Sequence, residues 1–314
     1  MEIEELQKQT IEMGHISDIL DSITIHNPIE IQRLYSVFGS ISDYEIPIVR
    51  YTLYPGSSLI RQRVNKLGQN FTQVSELSYP PPSVTPMERA NLPGHPMFYA
   101  CTFPSEINNQ APIPRAIALE ETSSFMRDKS KSGIERATVS RWLVAENIEL
   151  VALPYTGTYE RACPDLKIIK EKWIEAVSKG KVLDDPLELV HYMAEEISRN
   201  FEDKERYFRI ANFVNYLLTI NKKTKDADGI IYPSVPAQGA GFNVAIKLEV
   251  ADSKIRFSNA SICHLLKKED RMTVITVSDA VVDEYGNLNY VDKAFSDAEK
   301  IFYTVKSEGL SFVN

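Results

Sequence analysis

Two arginines close together suggest that this chain binds an anion. Arg61 and Arg63 belong to the stretch 59–65, which is typical of a β-strand. Side chains two residues apart on a strand share one face. A guanidinium offers a planar fork of donors that fits phosphate. We therefore expect the pair to face a phosphate, with Arg61 foremost; the alternative is an exposed strand edge whose charges oppose aggregation.

A carboxylate pair lies further along the chain. Residues 115–127 have the pattern of a helix with an apolar face, and this run contains Glu120 and Glu121. Neighbouring residues of a helix point about 100° apart, so one carboxylate can face a site while the other faces solvent. A carboxylate in a site can stabilise positive charge that develops on a sugar ring.

Two further candidates lie between these groups. Arg89 belongs to the Pro-, Ser- and Asn-rich stretch 75–96, which predicts a long ordered loop of the kind that is often functional. Its alternative role is a salt bridge to Glu88 or to another carboxylate of the loop. Tyr99 lies in the predicted strand 97–103, where the ring can be part of the core, stack on a ligand, or do both.

Ser234 follows a short apolar strand, residues 230–232, and comes directly after Pro233, which we expect to end strand pairing. It lies in no Gly-x-Ser-x-Gly elbow and has no recognisable His or Asp partner, so we exclude a serine hydrolase. The alternative is a turn serine that binds nearby backbone. The Gly-rich stretch 238–241 lacks the lysine of a P-loop and the third glycine of a dinucleotide-binding fingerprint.

The order of these pieces resembles the RES domain family, which is named for Arg, Glu and Ser. The resemblance covers roughly residues 59–248 and has four parts. Glu88 stands where the family usually has glycine. The four parts are Ile60-Arg61-Gln62-Arg63, then Glu88-Arg89-Ala90-Asn91-Leu92-Pro93-Gly94 with Phe98-Tyr99-Ala100, then Ala118-Leu119-Glu120-Glu121, and finally Asp228-Gly229-Ile230-Ile231-Tyr232-Pro233-Ser234 with Gly241-Phe242-Asn243.

The resemblance implies an enzyme that cleaves the nicotinamide–ribose bond of NAD by phosphorolysis or hydrolysis, often as the toxin of a bacterial toxin–antitoxin pair. Its pattern aligns Glu121, with Glu120 as the fallback. The implied catalytic residues are Glu121, Arg61 and Ser234, and the implied NAD-binding residues are Arg61, Arg89, Tyr99, Ser234 and Asn243.

In these roles the arginines would hold the pyrophosphate or an attacking phosphate, and Tyr99 would help to place a ring. Ser234 would hydrogen-bond the nicotinamide ribose or amide. Inorganic phosphate is a possible co-substrate; no other cofactor and no metal is implied. A cognate antitoxin and a homo-oligomer are possible partners. The alternatives are a non-catalytic nucleotide- or partner-binding module and a protein ADP-ribosyltransferase.

Composition limits the other classes of function. The 314 residues carry a net charge of −8, so a nucleic-acid-binding surface along the whole chain is not expected. The three cysteines have neither zinc spacing nor an evident disulfide pattern. The acidic start lacks the apolar region of a signal peptide, and no apolar run approaches the ~20 residues of a membrane helix. We therefore expect a cytoplasmic protein that binds no membrane.

The fold expected is α+β: an ADP-ribosyltransferase-like split β-sheet flanked by helices, with an N-terminal helical and a C-terminal extension. Residues 1–54 are expected to form a helical cap that packs on the rest, 55–250 the NAD-binding catalytic domain, and 251–314 a β-rich extension packed on it. The sequence further predicts helices at 2–22, 28–39, 164–179, 186–201 and 203–220, and strands at 45–54, 139–154, 243–248 and within 255–278.

Overall fold

The computed structural model describes residues 16–24, 28–42, 48–66, 68–102, 114–153, 163–179, 184–197, 204–234, 236–269 and 271–313. Within these ranges the chain is α+β, with ten strands and nine α-helices. The strands are β1 Val49–Leu53, β2 Ser58–Val64, β3 Phe98–Thr102, β4 Gly133–Val144, β5 Ile148–Ala152, β6 Gly229–Pro233, β7 Phe242–Ile246, β8 Ile255–Lys268, β9 Arg271–Val282 and β10 Leu288–Asp292. The helices are α1 Ile16–Asp21, α2 Pro28–Ser42, α3 Pro114–Thr122, α4 Ser124–Arg127, α5 Pro164–Lys179, α6 Asp184–Ile197, α7 Lys204–Thr219, α8 Leu248–Lys254 and α9 Asp297–Ser307.

All ten strands belong to one mixed sheet. Their order across the sheet is β1-β5-β6-β7-β3-β2-β4-β8-β9-β10. β5 and β6 run parallel, and every other neighbouring pair runs antiparallel. The C-terminal strands β8, β9 and β10 therefore extend the same sheet beyond β4.

The sheet is split near its middle, between β2 and β3. β2 pairs with β4 along its whole length, from Ser58 to Val64. With β3 it pairs only at Leu59–Thr102 and Ile60–Cys101. Arg61 is thus the first β2 residue beyond the point where the two strands separate. The split divides the sheet into two five-stranded halves and leaves a gap between them.

A short apolar helix packs beside this split. Ile117 and Leu119 of α3 are fully buried and lie in one core cluster with Ile60 and Cys101. The larger core cluster contains Phe98 together with residues of the N-terminal and central helices. Burial of such apolar side chains is the main stabilising term in folding. It fixes α3, the element that carries the glutamates, against β2 and β3.

The N-terminal helices pack on the central ones. Ser17 Oγ of α1 donates to Glu188 Oε1 of α6 at 2.7 Å. Asn215 Nδ2 of α7 donates to the Tyr35 hydroxyl of α2 at 2.8 Å. Phe38 packs edge-on against Phe213, with ring centroids 5.4 Å apart. Residues 1–15, with most of the helix predicted at 2–22, lie outside the described residues.

Several local expectations were wrong. The helix predicted at 115–127 is two helices, because Ser123 caps the second by accepting a bond from Met126 N at 2.9 Å. Pro233 does not end strand pairing: it pairs with Phe242, and Ser234 N donates to Gly241 O at 2.9 Å. The sequence analysis also missed α8, β10 and α9. Among the described helices, none combines the length and the apolar character needed to cross a bilayer.

Candidate active site

A cavity of about 890 Å³ lies at the split in the sheet. The lining comes from β2, β3, α3, α7 and the loop before β3, and it includes Arg127, Tyr232 and Asn243. Among the predicted site residues, those that line it are Arg61, Arg89, Tyr99, Glu121 and Asn243. Residues that are far apart in the sequence therefore meet in one space of a size typical for small-molecule sites.

The Glu121 carboxylate is held by two side-chain hydrogen bonds. Its Oε1 accepts a hydrogen bond from Ser234 Oγ at 2.6 Å and another from Asn243 Nδ2 at 2.7 Å. The donors belong to the end of β6 and to β7, which pair with each other. Two donors on one oxygen fix the orientation of the carboxylate.

Glycine at position 241 allows this arrangement. A Cβ atom there would lie 2.4 Å from Cδ1 of Ile117, which is a fully buried residue of α3. A side chain at residue 241 would therefore displace the end of the Ile117 side chain, which packs between α3 and the β6–β7 turn. The close approach brings Glu121 within reach of its two donors.

Arg127 holds the end of α3 from the other side. Its Nη1 donates to the carbonyl oxygens of Glu121 at 2.7 Å and Glu120 at 3.1 Å. These are carbonyls of the last helical turn, which have no partner within a helix. Arg127 also lines the cavity. The sequence analysis did not single it out, because its role depends on the break in the helix at Ser123.

Ser234 lies behind Glu121 and not on the cavity wall. Its exposed fraction is 0%, and its hydroxyl donates to the carboxylate. The sequence analysis expected this hydroxyl to bond the ribose or the amide of NAD. In the structure it supports the orientation of Glu121.

Asn243 links the carboxylate to β3. While its Nδ2 donates to Glu121, its Oδ1 accepts a bond from Cys101 Sγ at 3.1 Å. Burial raises the pKa of the Cys101 thiol well above its usual value, and the Glu121 charge raises it further. Cys101 therefore remains a protonated donor that holds the amide of Asn243 in place.

Arg61 spans the gap where the strands separate. Its Nη1 donates to the carbonyl oxygen of Tyr99 on β3 at 2.6 Å, and its Nε donates to the carbonyl oxygen of Ser78 at 3.1 Å. Burial lowers the pKa of Arg61 to about 10, with a smaller contribution from Arg63. The guanidinium thus stays charged at neutral pH, and it carries three further N–H donors.

Arg63 occupies the outer part of the same wall. Its guanidinium lies 4.8 Å from the centroid of the Phe71 ring, and its Nη1 donates to the carbonyl oxygen of Glu76. Arg61 and Arg63 both line the cavity. Whether they face a phosphate, as the sequence analysis expects, stays a prediction.

Arg89 reaches the cavity from the loop before β3. Its Nη1 donates to the carbonyl oxygen of Ile197 at the end of α6, at 3.3 Å. Burial lowers the pKa of Arg89, but Tyr232, Glu121 and Tyr207 together outweigh that effect, and the net shift is upward. Arg89 is therefore a fixed positive charge in electrostatic contact with Glu121.

Tyr99 uses its hydroxyl to hold the same loop. The hydroxyl donates to Asn91 Oδ1 at 2.7 Å and accepts from Ala90 N at 3.0 Å. Asn91 Nδ2 in turn donates to the carbonyl oxygens of Pro86 and Leu92 at 2.9 and 3.0 Å. The loop that carries Arg89 is thus attached to β3 by side-chain hydrogen bonds.

The cavity also contains groups that the sequence analysis did not assign. Lys204 and Tyr207 of α7 line it, as do Tyr232 of β6 and Glu88 of the loop. No local signal marks the α7 residues, because only the packing of that helix brings them to the cavity. Alternation along 230–232 could have marked Tyr232.

Glu88 is exposed into the cavity. Removal of solvent by the surrounding wall raises the pKa of Glu88, while Arg61 and Arg89 oppose that shift. The carboxylate is therefore within electrostatic range of both arginines.

Within the described ranges, no group of three or more His, Cys, Asp or Glu side chains is placed to hold a metal ion. No family model matches the chain, and no curated protein matches it.

Proposed function

We propose that this protein cleaves the nicotinamide–ribose bond of NAD. One observation carries the proposal: a single cavity contains both the Glu121 carboxylate, fixed by two donors, and the guanidinium groups of Arg61 and Arg89. The cleavage needs both kinds of group. Cations hold the pyrophosphate, and an anion stabilises the ribosyl cation.

The chemistry assigns Glu121 to the breaking bond. The C–N bond to nicotinamide breaks with its electron pair leaving on the nicotinamide nitrogen, so positive charge develops on the ribose. A carboxylate whose orientation is already fixed stabilises that charge without reorganising as it develops. Ser234 and Asn243 supply this fixed orientation through their bonds to Oε1.

The charge of the cavity supports binding of the dianionic pyrophosphate of a nucleotide. The whole chain carries −8, yet the described residues that line the cavity include more cations than carboxylates. The cations are Arg61, Arg63, Arg89, Arg127 and Lys204; the carboxylates are Glu88 and Glu121. Local positive potential in a cleft of an acidic protein attracts an anionic ligand.

We further propose that the sheet is a form of the ADP-ribosyltransferase-like split sheet. The support is the position of the split, between β2 and β3, with the four RES-like segments grouped around it. By the same resemblance, the protein would act in the cytoplasm as the toxin of a toxin–antitoxin pair. The cognate antitoxin would be encoded by a neighbouring reading frame, which is the observation to look for.

Incubation of the purified protein with NAD tests the proposal. We expect release of free nicotinamide, measured by chromatography, and loss of that release in Glu121→Gln. NAD that is bound but unchanged would instead favour a nucleotide-binding module. ADP-ribose attached to protein, seen by mass spectrometry, would favour a protein ADP-ribosyltransferase.

A further inference from the structure

Glu88 is a second carboxylate in the cavity, and the proposed cleavage does not use it. It is exposed into the lumen and interacts electrostatically with Arg61 and Arg89. These are the two guanidinium groups assigned to phosphate. The negative charge of Glu88 therefore lowers the positive potential at these two arginines before any ligand binds.

The backbone fixes Glu88 at this place. Glu88 N donates to Asn91 O at 3.2 Å, which closes the turn 88–91. Asn91 accepts from the Tyr99 hydroxyl and donates within the loop. Downstream, Gly94 has φ +76° and its N–H donates to Thr85 O at 3.1 Å. These bonds hold the backbone at Glu88, and Glu88 lines the cavity.

A carboxylate in this wall discriminates between the anions that could enter. NAD can offset repulsion from Glu88 through the contacts of its two nucleosides along the 890 Å³ cavity. Inorganic phosphate has little besides its charge and its hydrogen bonds with which to bind. An attacking phosphate would also have to enter a cavity that already holds the pyrophosphate and Glu88, and close contacts between like charges are costly.

We propose that Glu88 excludes inorganic phosphate from the arginine pair, so that the cavity transfers ADP-ribose to water. The transfer to water rests on the proposed function, whereas the exclusion of phosphate does not. Exclusion of phosphate is a property of the cavity that can be measured without turnover. Exclusion of phosphate would leave water as the acceptor of ADP-ribose.

The reaction balances with water as the only co-reactant. An oxygen of water forms a bond to C1 of the ribose as the bond to the nicotinamide nitrogen breaks. The electron pair of the broken bond stays on that nitrogen, and one proton is released to solvent. NAD⁺ and water give ADP-ribose, nicotinamide and H⁺.

Phosphate binding is the first test. Inorganic phosphate is titrated into the wild-type protein, Glu88→Gln and the control Glu146→Gln, with chloride at matched ionic strength, and followed by calorimetry. Glu146 is exposed and lies outside the residues that line the cavity. We expect the Glu88→Gln protein to bind phosphate at least roughly tenfold more tightly than the other two.

Product analysis is the second test. The three proteins are incubated with NAD at rising phosphate, and ADP-ribose is separated from phosphorylated ADP-ribose by chromatography. We expect the wild type and Glu146→Gln to yield ADP-ribose at a rate that phosphate does not change. The Glu88→Gln protein should gain phosphorylated ADP-ribose as phosphate rises.

The outcomes separate the two ideas. Equal phosphate affinity in wild type and Glu88→Gln, or phosphorylated ADP-ribose as the main wild-type product, would overturn the role of Glu88. If only Glu88→Gln binds phosphate and no protein releases nicotinamide, exclusion by Glu88 stands and the proposed NAD cleavage fails. A circular dichroism spectrum and melting curve of Glu88→Gln show that the comparison uses a folded variant.

Discussion

The two walls of the cavity hold their charges in different ways. On the carboxylate wall, Glu121 receives short hydrogen bonds from side chains of two paired strands, at 2.6 and 2.7 Å. On the arginine wall, Arg61 and Arg89 donate to main-chain carbonyl oxygens of Tyr99, Ser78 and Ile197. The acceptor on the first wall has its position set by two side chains. On the second wall, Arg61 uses two of its five N–H groups in these bonds.

This difference corresponds to two different tasks. A group that stabilises developing charge works best when its orientation is fixed beforehand. A group that binds a phosphate needs free donors, and a guanidinium that spends two of its five N–H groups on the protein keeps the others for a ligand. Mutations on the carboxylate wall should therefore lower the rate of cleavage, and mutations on the arginine wall should weaken NAD binding.

The largest effect is expected for Glu121→Gln. The amide has nearly the same shape but no negative charge, so the ribosyl cation loses its stabilisation. We expect the turnover rate to fall about 10²–10³-fold, as for loss of one preorganised electrostatic group, with NAD affinity nearly kept. Glu120→Gln is the matched control, because Ser234 and Asn243 both donate to Glu121. A dead Glu120→Gln beside an active Glu121→Gln would reverse the assignment.

Arg61→Lys should give the next largest effect, on the other wall. Lysine keeps the charge but cannot donate to Tyr99 O and Ser78 O at once in the planar geometry of the fork. Because the site is buried, we expect a loss of about 3 kcal/mol, shared between NAD binding and the free energy of unfolding. Calorimetric titration with NAD measures the loss of binding free energy, and urea unfolding measures the loss in the free energy of unfolding. Arg63→Lys is the control, and an equal loss there would show that Arg61 has no special role.

Part of this site could be predicted from the sequence, for physical reasons. Spacing of two along a strand was enough to place Arg61 and Arg63 together. Because neighbouring helical residues point about 100° apart, only one of Glu120 and Glu121 was expected to face the site. That choice depends in the structure on Ser234 and Asn243, which are more than 100 residues away, so local pattern alone leaves it open.

The rest depends on tertiary packing. β3 pairs with β2 for only two residues, so the sheet separates after Ile60. No local composition marks that point. Lys204 and Tyr207 reach the cavity only through the docking of α7. The role of Ser234 also required the structure, since a serine after a strand can face a ligand or the protein. Its side chain is fully buried against Glu121.

Ser234→Ala measures how much fixed orientation contributes on the carboxylate wall. The variant removes one of the two donors to Glu121 Oε1 and leaves Asn243 in place. We expect turnover to fall roughly tenfold, corresponding to ~1.5 kcal/mol for one hydrogen bond to a charged group, with little change in KM. Ser234→Thr, which keeps the hydroxyl, should recover part of the rate. A rise in KM at constant turnover would instead favour direct contact with NAD.

The smallest effect is expected for Tyr99→Phe, which tests whether the loop on the arginine wall is held as firmly as the carboxylate. The change keeps the ring and removes the hydroxyl that donates to Asn91 Oδ1 and accepts from Ala90 N. We expect the free energy of unfolding to fall by about 1 kcal/mol, the usual net value of a hydrogen bond. Because the loop also carries Arg89, NAD affinity should weaken by a few-fold while turnover of the bound substrate stays the same. Tyr285→Phe is a matched control, since that tyrosine is 79% exposed and lies far along the chain in the turn before β10. If Tyr99→Phe lowers turnover and leaves affinity unchanged, Tyr99 acts on the carboxylate wall, and the division of tasks between the two walls is wrong.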